Sequence, residues 1–339
     1  MRLILERLGP TTALCLIMLP VAAHHSAAMY DQQQNVRLEG IVTQFDWTDP
    51  HAYIRVETED EGSESIVWLI EGRPPSAMSK LGWSQDSLAI GDRVTVAANP
   101  GRNANRKIAL GLTVMKEDGT LLNILRPGAE GAAGTSSIAF VADGISGNWE
   151  TRTTPEVLST WRQPNTSWSL TDKGLAAFEN YEELLMSPGN DCVGELPPRT
   201  MIFPAIKRIE IGEQVTMIRL DDGTRTVHMN LDSHEGASYT MQGHSIGWWE
   251  DDVLVIDTTH FAEHRSGNSP GLPSSRQRHL IERFELTADR SGLTYTFRNE
   301  DPEYLLEPMI GTLDLTYRPD LPFVYIPCDL ETARRYREE

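Results

Sequence analysis

Six histidines, His228, His234, His244, His260, His264 and His279, share one stretch of the chain with Asp232, Glu235, Asp257, Glu282 and Arg283. A neutral imidazole whose other ring nitrogen is held by a carboxylate serves as a general base or a metal ligand, because the carboxylate fixes the tautomer. His244 with Asp257 is the best such pair. His279, Glu282 and Arg283 complete a candidate catalytic or ligand-binding group. Ser245 follows His244 directly, and neighbours on a strand point to opposite faces, so the two do not form a nucleophile–base pair. The chain contains no G-x-S-x-G, HExxH, P-loop or post-strand G-x-G-x-x-G motif.

The pairing of His244 with Asp257 depends on a hairpin. Met241 to His264 reads as two strands folding back at Glu250-Asp251-Asp252. A two-residue loop at Asp251-Asp252 sets Trp249 against Leu254, Gly247 against Ile256 and His244 against Thr259. His244 and Asp257 then share a face as diagonal neighbours, roughly 7–8 Å apart at the backbone. A three-residue loop would put them on opposite faces. Along Gln277 to Thr287, His279 and Arg283 share one face, while Glu282 shares the other with Leu280, Phe284 and Leu286. A buried charge there needs a partner, and pairing Arg283 with a carboxylate is the expected solution. A purely structural role is also open to each residue: His244 as a strand-end cap, Glu282–Arg283 as an ion pair in a wall, and Trp149, Trp248 and Trp249 as core.

The surrounding text is mainly β. From Ala205 onward, strand-like runs recur at Ala205–Ile211, Gln214–Leu220, Thr224–Leu231, the hairpin, Gln277–Thr287, Leu293–Asn299 and Met309–Tyr317. Some eight antiparallel strands predict a closed or nearly closed up-and-down barrel over 146–339, lipocalin-like in its Gly147-Asn148-Trp149 start. Leu170 to Leu185 contains a helical segment. Before it, Val36–Phe45, His51–Thr58, Ser65–Glu71, a short helix at Pro75–Leu81, Arg93–Ala98 and Lys107–Met115 follow the order of an OB-like five-stranded barrel over 24–127. Residues 128–145, with Gly128 to Gly134, read as a linker.

The chain begins with a secretory pattern. Arg2 and Arg7 precede the apolar run Thr11 to Leu19, and Val21-Ala22-Ala23 supplies a cleavage site, so 1–23 is an expected signal peptide. The run is too short to span a bilayer, and membrane insertion after cleavage is not expected. A periplasmic or secreted product then has Cys192 and Cys328 to form one disulfide. The formal charge of −19 makes nucleic acid and anionic membranes improbable partners.

Cleavage after Ala23 would also create a second chemical site. An N-terminal His24 offers its amine and imidazole, and a third nitrogen from His25 or His51 would complete a copper chelate.

Two resemblances add to this reading. His24-His25-Ser26, Trp47-Thr48-Asp49-Pro50-His51, Trp68, Gly82-Trp83 and Gly91-Asp92 resemble a family of uncharacterised exported bacterial proteins known only as a domain of unknown function. Gly243-His244-Ser245, Gly247, Trp249-Glu250, Asp252, Leu254-Val255, Asp257-Thr258, His279, Glu282-Arg283 and Asp301-Pro302 resemble a second uncharacterised exported group, whose cysteines fall at the places of Cys192 and Cys328. Trp248 departs from that group, which usually has a basic residue there. Neither resemblance implies an activity.

The residues therefore support two expectations from different classes. One is an exported binding protein holding a small, partly apolar molecule inside the larger barrel. The other is an enzyme using His244, Asp257, His279, Glu282 and Arg283 for acid–base chemistry in that lumen. Copper binding at His24 is compatible with either.

Overall fold

The structure is a computed structural model that describes residues 30–49, 51–59, 65–124, 140–152, 154–182, 186–194, 196–203, 205–220 and 223–334. It contains two β-barrels in succession. In the first, β1 (Val36–Asp46), β2 (Tyr53–Glu59), β3 (Ser65–Glu71), β4 (Arg93–Pro100) and β5 (Ile108–Lys116) pair in the order β3-β2-β1-β4-β5. A parallel β3·β5 pairing closes the ring, and the short β6 (Leu121–Asn123) extends from β5. A helix at Pro75–Ser79 lies between β3 and β4. That is the expected OB-like arrangement. Its core is built from the inward positions of each strand, including Val42, Ile54, Val56, Ile70, Val96 and Val114.

The second barrel has nine strands. They are β7 (Gly147–Thr151), β8 (Ile206–Glu210), β9 (Val215–Leu220), β10 (Gly223–His228), β11 (His244–Glu250), β12 (Val253–Thr259), β15 (His279–Leu286), β16 (Gly292–Glu300) and β17 (Met309–Tyr317). They close in chain order, and β17 returns to β7. The strands β13 (His264–Ser269) and β14 (Leu272–Ser274) form a separate ribbon. The structure thus corrects the expectation of a wholly antiparallel ring. Nine strands cannot alternate direction all the way around a closed ring, so at least one pair of neighbours must run parallel. The parallel pair is β10·β11, joined only at Val227↔Ser245 and His228↔Ile246. Segment 229–243, which connects them, therefore lies outside the ladder and over the wall.

The β11–β12 hairpin has the expected even register, with His244↔Thr259, Gly247↔Ile256 and Trp249↔Leu254. Asp251 takes a positive φ of 52° in its tight turn, a conformation that Asp tolerates better than most residues. Leu254, Ile256, Leu280, Phe284, Tyr295 and Phe297 point inward with Trp149 and fill the interior as one apolar cluster. Trp149 is core as expected. Trp248 and Trp249 are exposed instead, because they lie near the hairpin tip beyond the end of β10.

The helical segment expected within Leu170–Leu185 is found at Asp172–Glu179, capped by the Thr171 hydroxyl accepting from the Gly174 N–H at 3.1 Å. Leu175 on this helix is exposed. Cys192 and Cys328 are bonded, with Cα atoms 5.6 Å apart. The two barrels meet where Lys80 of the first and Arg318 of the second both pair with the buried Glu150. The signal segment, His24, His25 and Gly128 to Gly134 lie outside the described residues.

Candidate functional site

Five of the six histidines gather on the outer wall of the second barrel. The alternation of β12 explains why. Leu254 and Ile256 belong to the apolar cluster of the interior, so the alternate residues Val255, Asp257 and Thr259 lie on the outer face. Register carries that face to His244 on β11 and His279 on β15, each a diagonal neighbour of Asp257. The His228 side chain, at the end of β10, stacks on His244 with ring centres 5.0 Å apart. The expected meeting of an imidazole and a carboxylate inside the lumen is therefore corrected: they meet outside it.

His244 and Asp257 also do not touch directly. His234, carried by the 229–243 segment, stands between them. Its Nε2 lies 3.0 Å from Asp257 Oδ1, and its Nδ1 lies 2.8 Å from His244 Nδ1. His279 Nε2 donates to Asp257 Oδ2 at 3.1 Å. His260, at a positive φ of 54°, borders the group with its ring 6.0 Å from that of His234 and 6.4 Å from that of His244. Its Nδ1 is 2.9 Å from Thr259 Oγ1. Backbone bonds from Thr240 N to His260 O and from Ala262 N to Thr240 O fasten the segment to the end of β12.

This hydrogen-bond chain sets the tautomers. A carboxylate only accepts, so His234 carries its proton on Nε2. With His234 neutral, its Nδ1 is an acceptor, and His244 must supply the proton from its own Nδ1. His244 Nε2 is then a bare lone pair, and no described residue donates to it. His244 lines an open cleft of about 390 Å³, with Thr224, Thr226, His228, Ser238 and Gly243 among the other lining residues.

The electrostatics agree with these roles. Burial lowers the affinity of His244 for a proton, and the neighbouring His234, His228 and His260 lower it further. Burial alone would raise the pKa of Asp257, but its bonds to His279 and His234 outweigh burial and hold the carboxyl below its ordinary value. Its bond to Asp257 raises the pKa of His279 despite partial burial. His279 is raised in the folded state, so its contribution to stability is present below about pH 6.5 and is lost as pH rises through the folded pKa. Asp257 is lowered, so its contribution is present above about pH 3.9 and is lost as pH falls through the folded pKa. The pair therefore stabilises most between roughly pH 4 and 6.5. Asp257→Ala is expected to cost about 1 kcal/mol there, a charge-assisted bond discounted for partial exposure, and less at pH 9. Urea unfolding at both pH values measures this, and an equal loss at each would contradict it.

The remaining candidates separate. Glu282 points inward and is fully buried; its partner is Arg225, at 2.5 Å, not Arg283. Arg225 Nη2 also donates to Thr258 Oγ1 at 2.6 Å and Arg225 Nε to Ser245 Oγ at 3.1 Å, while Tyr295 donates to Glu282 Oε1 at 2.8 Å. Arg283 faces outward and pairs with Glu250 at 2.9 Å, both half-exposed. The expectation of one group containing His244, Asp257, His279, Glu282 and Arg283 is corrected accordingly, because β15 alternation sends Glu282 and Arg283 to opposite faces. His264 is buried apart from the cluster, where desolvation and the nearby Arg265 and Arg278 push its pKa down to about 4. Asp301, noted in the Asp-Pro motif, accepts from Asn268 and Ser275 as a buried structural anchor.

In the first barrel, His51 Nδ1 lies 3.2 Å from Gly72 O and 3.3 Å from Glu71 Oε1. Among the described residues, no group of three or more His, Cys, Asp or Glu side chains is arranged to hold a metal ion.

A family of unknown function, DUF6152, matches residues 13–110. This match covers the first barrel up to β5 and agrees with an uncharacterised N-terminal domain. No curated protein and no solved structure matches the chain.

Sequence patterning singled out neither Arg225 nor, among the six histidines, the bridging place of His234. Arg225 was accessible: Val227 on the same strand is an obvious inward residue, and two positions away lies Arg225. His234 had no such signal, because its segment has neither helical nor strand periodicity.

Proposed function

We propose that the protein is an exported acid–base enzyme whose working group is His244. The observation that carries this reading is the ordered run Asp257–His234–His244, which ends in a bare imidazole nitrogen beside a cleft. Such a run keeps His244 in one tautomer. When Nε2 takes a proton from a group bound in the cleft, Nδ1–H remains bonded to His234, and the carboxylate of Asp257 stabilises the new positive charge through it. The lowered pKa of His244 keeps it neutral and competent below the usual range for histidine. General acid–base catalysis of this kind contributes roughly 10²–10⁴-fold. A leader at residues 1–23 and the Cys192–Cys328 pair support export.

The inner-lumen binding reading has less support, since aromatic and aliphatic side chains fill the interior positions. Copper binding through His24 with His25 or His51 remains a separate proposal, supported by the predicted cleavage after Ala23 and the half-buried position of His51. Mass determination of the mature N-terminus and titration with cupric ion test it.

The acid–base reading can be tested without a known substrate. Diethylpyrocarbonate attacks unprotonated imidazole nitrogen, so at pH 6 His244 is expected to be modified before His279, as read by peptide mass mapping. Preferential modification of His279, which is bonded and more readily protonated, would contradict the assignment.

A further inference from the structure

The parallel junction that brings His234 to the site leaves an unpaired strand edge beside it. Met229 N donates to Gln214 O, which fixes the alternation of the β9·β10 ladder. By that alternation Gly223, Arg225 and Val227 bond to β9, while the N–H and C=O of Thr224, Thr226 and His228 point the other way, toward β11. The β10·β11 ladder begins only at Val227↔Ser245 and His228↔Ile246. It can use the C=O of Thr226 but reaches neither the Thr226 N–H nor the backbone of Thr224. No turn or loop hydrogen bond among the described residues closes on these groups either.

The same two residues line the cleft that His244 faces. Their side chains are exposed on the outer face, and the hydroxyls of Thr224, Thr226 and Ser238 bond to no described residue. An open edge of main-chain donors and acceptors is a template for another extended chain. Adding a strand there would satisfy the backbone groups and run the added chain along β10 toward His228 and His244.

We propose that the cleft binds an extended peptide segment as an added strand on β10, and that peptides are the substrate class of the His244 site. This inference rests on the acid–base reading for its second half, while the binding itself is independent of it. Charge narrows the partner further. The formal charge of −19 disfavours acidic segments, and no lysine, arginine, aspartate or glutamate lines the cleft, so a neutral or basic peptide fits. Recognition through the main chain predicts weak dependence on the peptide's side chains.

The test uses the full chain and two N-acetylated, C-amidated peptides of about eight residues, a typical strand length. One is built from Ala, Thr and Gln; the other also carries Lys. Amide hydrogen exchange at Thr224 and Thr226 is expected to slow roughly tenfold when either peptide is added, with a chemical-shift change at His244. Thr226→Pro removes the open N–H at an edge position, where proline is tolerated, and is expected to weaken binding at least fivefold. Thr226→Ala keeps the N–H and is expected to bind within twofold of the parent. Unchanged circular dichroism of both variants excludes misfolding as the cause.

Three results overturn the proposal. These are equal binding by the proline variant, protection of the same amides by a neutral chitin-type tetrasaccharide but not by peptides, and protection of those amides without peptide through association of two copies of the chain. The histidine titrations are measured without peptide, so they stand or fall separately.

Discussion

Glu282→Ala is expected to destabilise the second barrel by about 3–5 kcal/mol, the cost of leaving a buried charge without its partner. In the parent, Glu282 is fully buried and takes one bond from Arg225 and another from Tyr295. Truncation strands the Arg225 guanidinium among apolar neighbours, with only Ser245 and Thr258 hydroxyls to solvate it. It also leaves the Tyr295 hydroxyl unpaired in a site sealed from water. For a domain of this size, the change corresponds to a fall in Tm of about 6–20 °C. Replacing both charges, Arg225→Met with Glu282→Leu, is expected to cost less than either single change, because no unpaired charge remains. A loss under 1 kcal/mol for Glu282→Ala in urea unfolding would show that water reaches the pair.

The second large effect concerns the bond between Cys192 and Cys328, which closes a separation of 136 residues. Chain-entropy arguments give about 5 kcal/mol for a loop of this order. The region it fastens contains little regular structure: a short turn at Pro188–Asp191 and a terminal helix at Leu330–Arg334. Asp191 adds ionic contacts to Arg265 at 2.6 Å and Arg334 at 2.9 Å, but these are partly exposed and contribute little by comparison. The double variant Cys192→Ala, Cys328→Ala is expected to unfold at lower urea, with early hydrogen exchange near residues 318–334. An unchanged midpoint would mean that the ionic contacts suffice.

The strands of both barrels were legible because Val, Ile, Thr and aromatic runs separated by Gly, Asp and Pro mark strands through local preference. The hairpin was legible for the same reason, but its parity lay open between a two-residue and a three-residue loop, and the observed pairing selects the two-residue one. The face was not legible. Val253-Leu254-Val255-Ile256 is apolar at every position, so alternation along β12 does not say which side is inward. The structure settles the face through partners distant in sequence, such as Phe284 and Glu282 opposite Leu254 and Ile256.

The odd strand count was also hidden. Gly147–Thr151 is short, and its role as the ninth strand depends on pairing with Tyr317 and Lys207, far along the chain. With the ninth strand comes the parallel junction, and with the junction comes the crossing segment that carries His234. The residue that links acid to base therefore depends on topology, which local sequence does not encode. The isolated pairing of His244 with Asp257 was right about neighbourhood and wrong about contact.

Long-range nitrogen NMR of the histidine side chains tests the acid–base account most directly. At pH 7 the account predicts His244 as the Nδ1–H form with an unprotonated Nε2, His234 as the Nε2–H form, and His244 titrating below His279. A His244 ring protonated on Nε2, or one that titrates above His279, would contradict it.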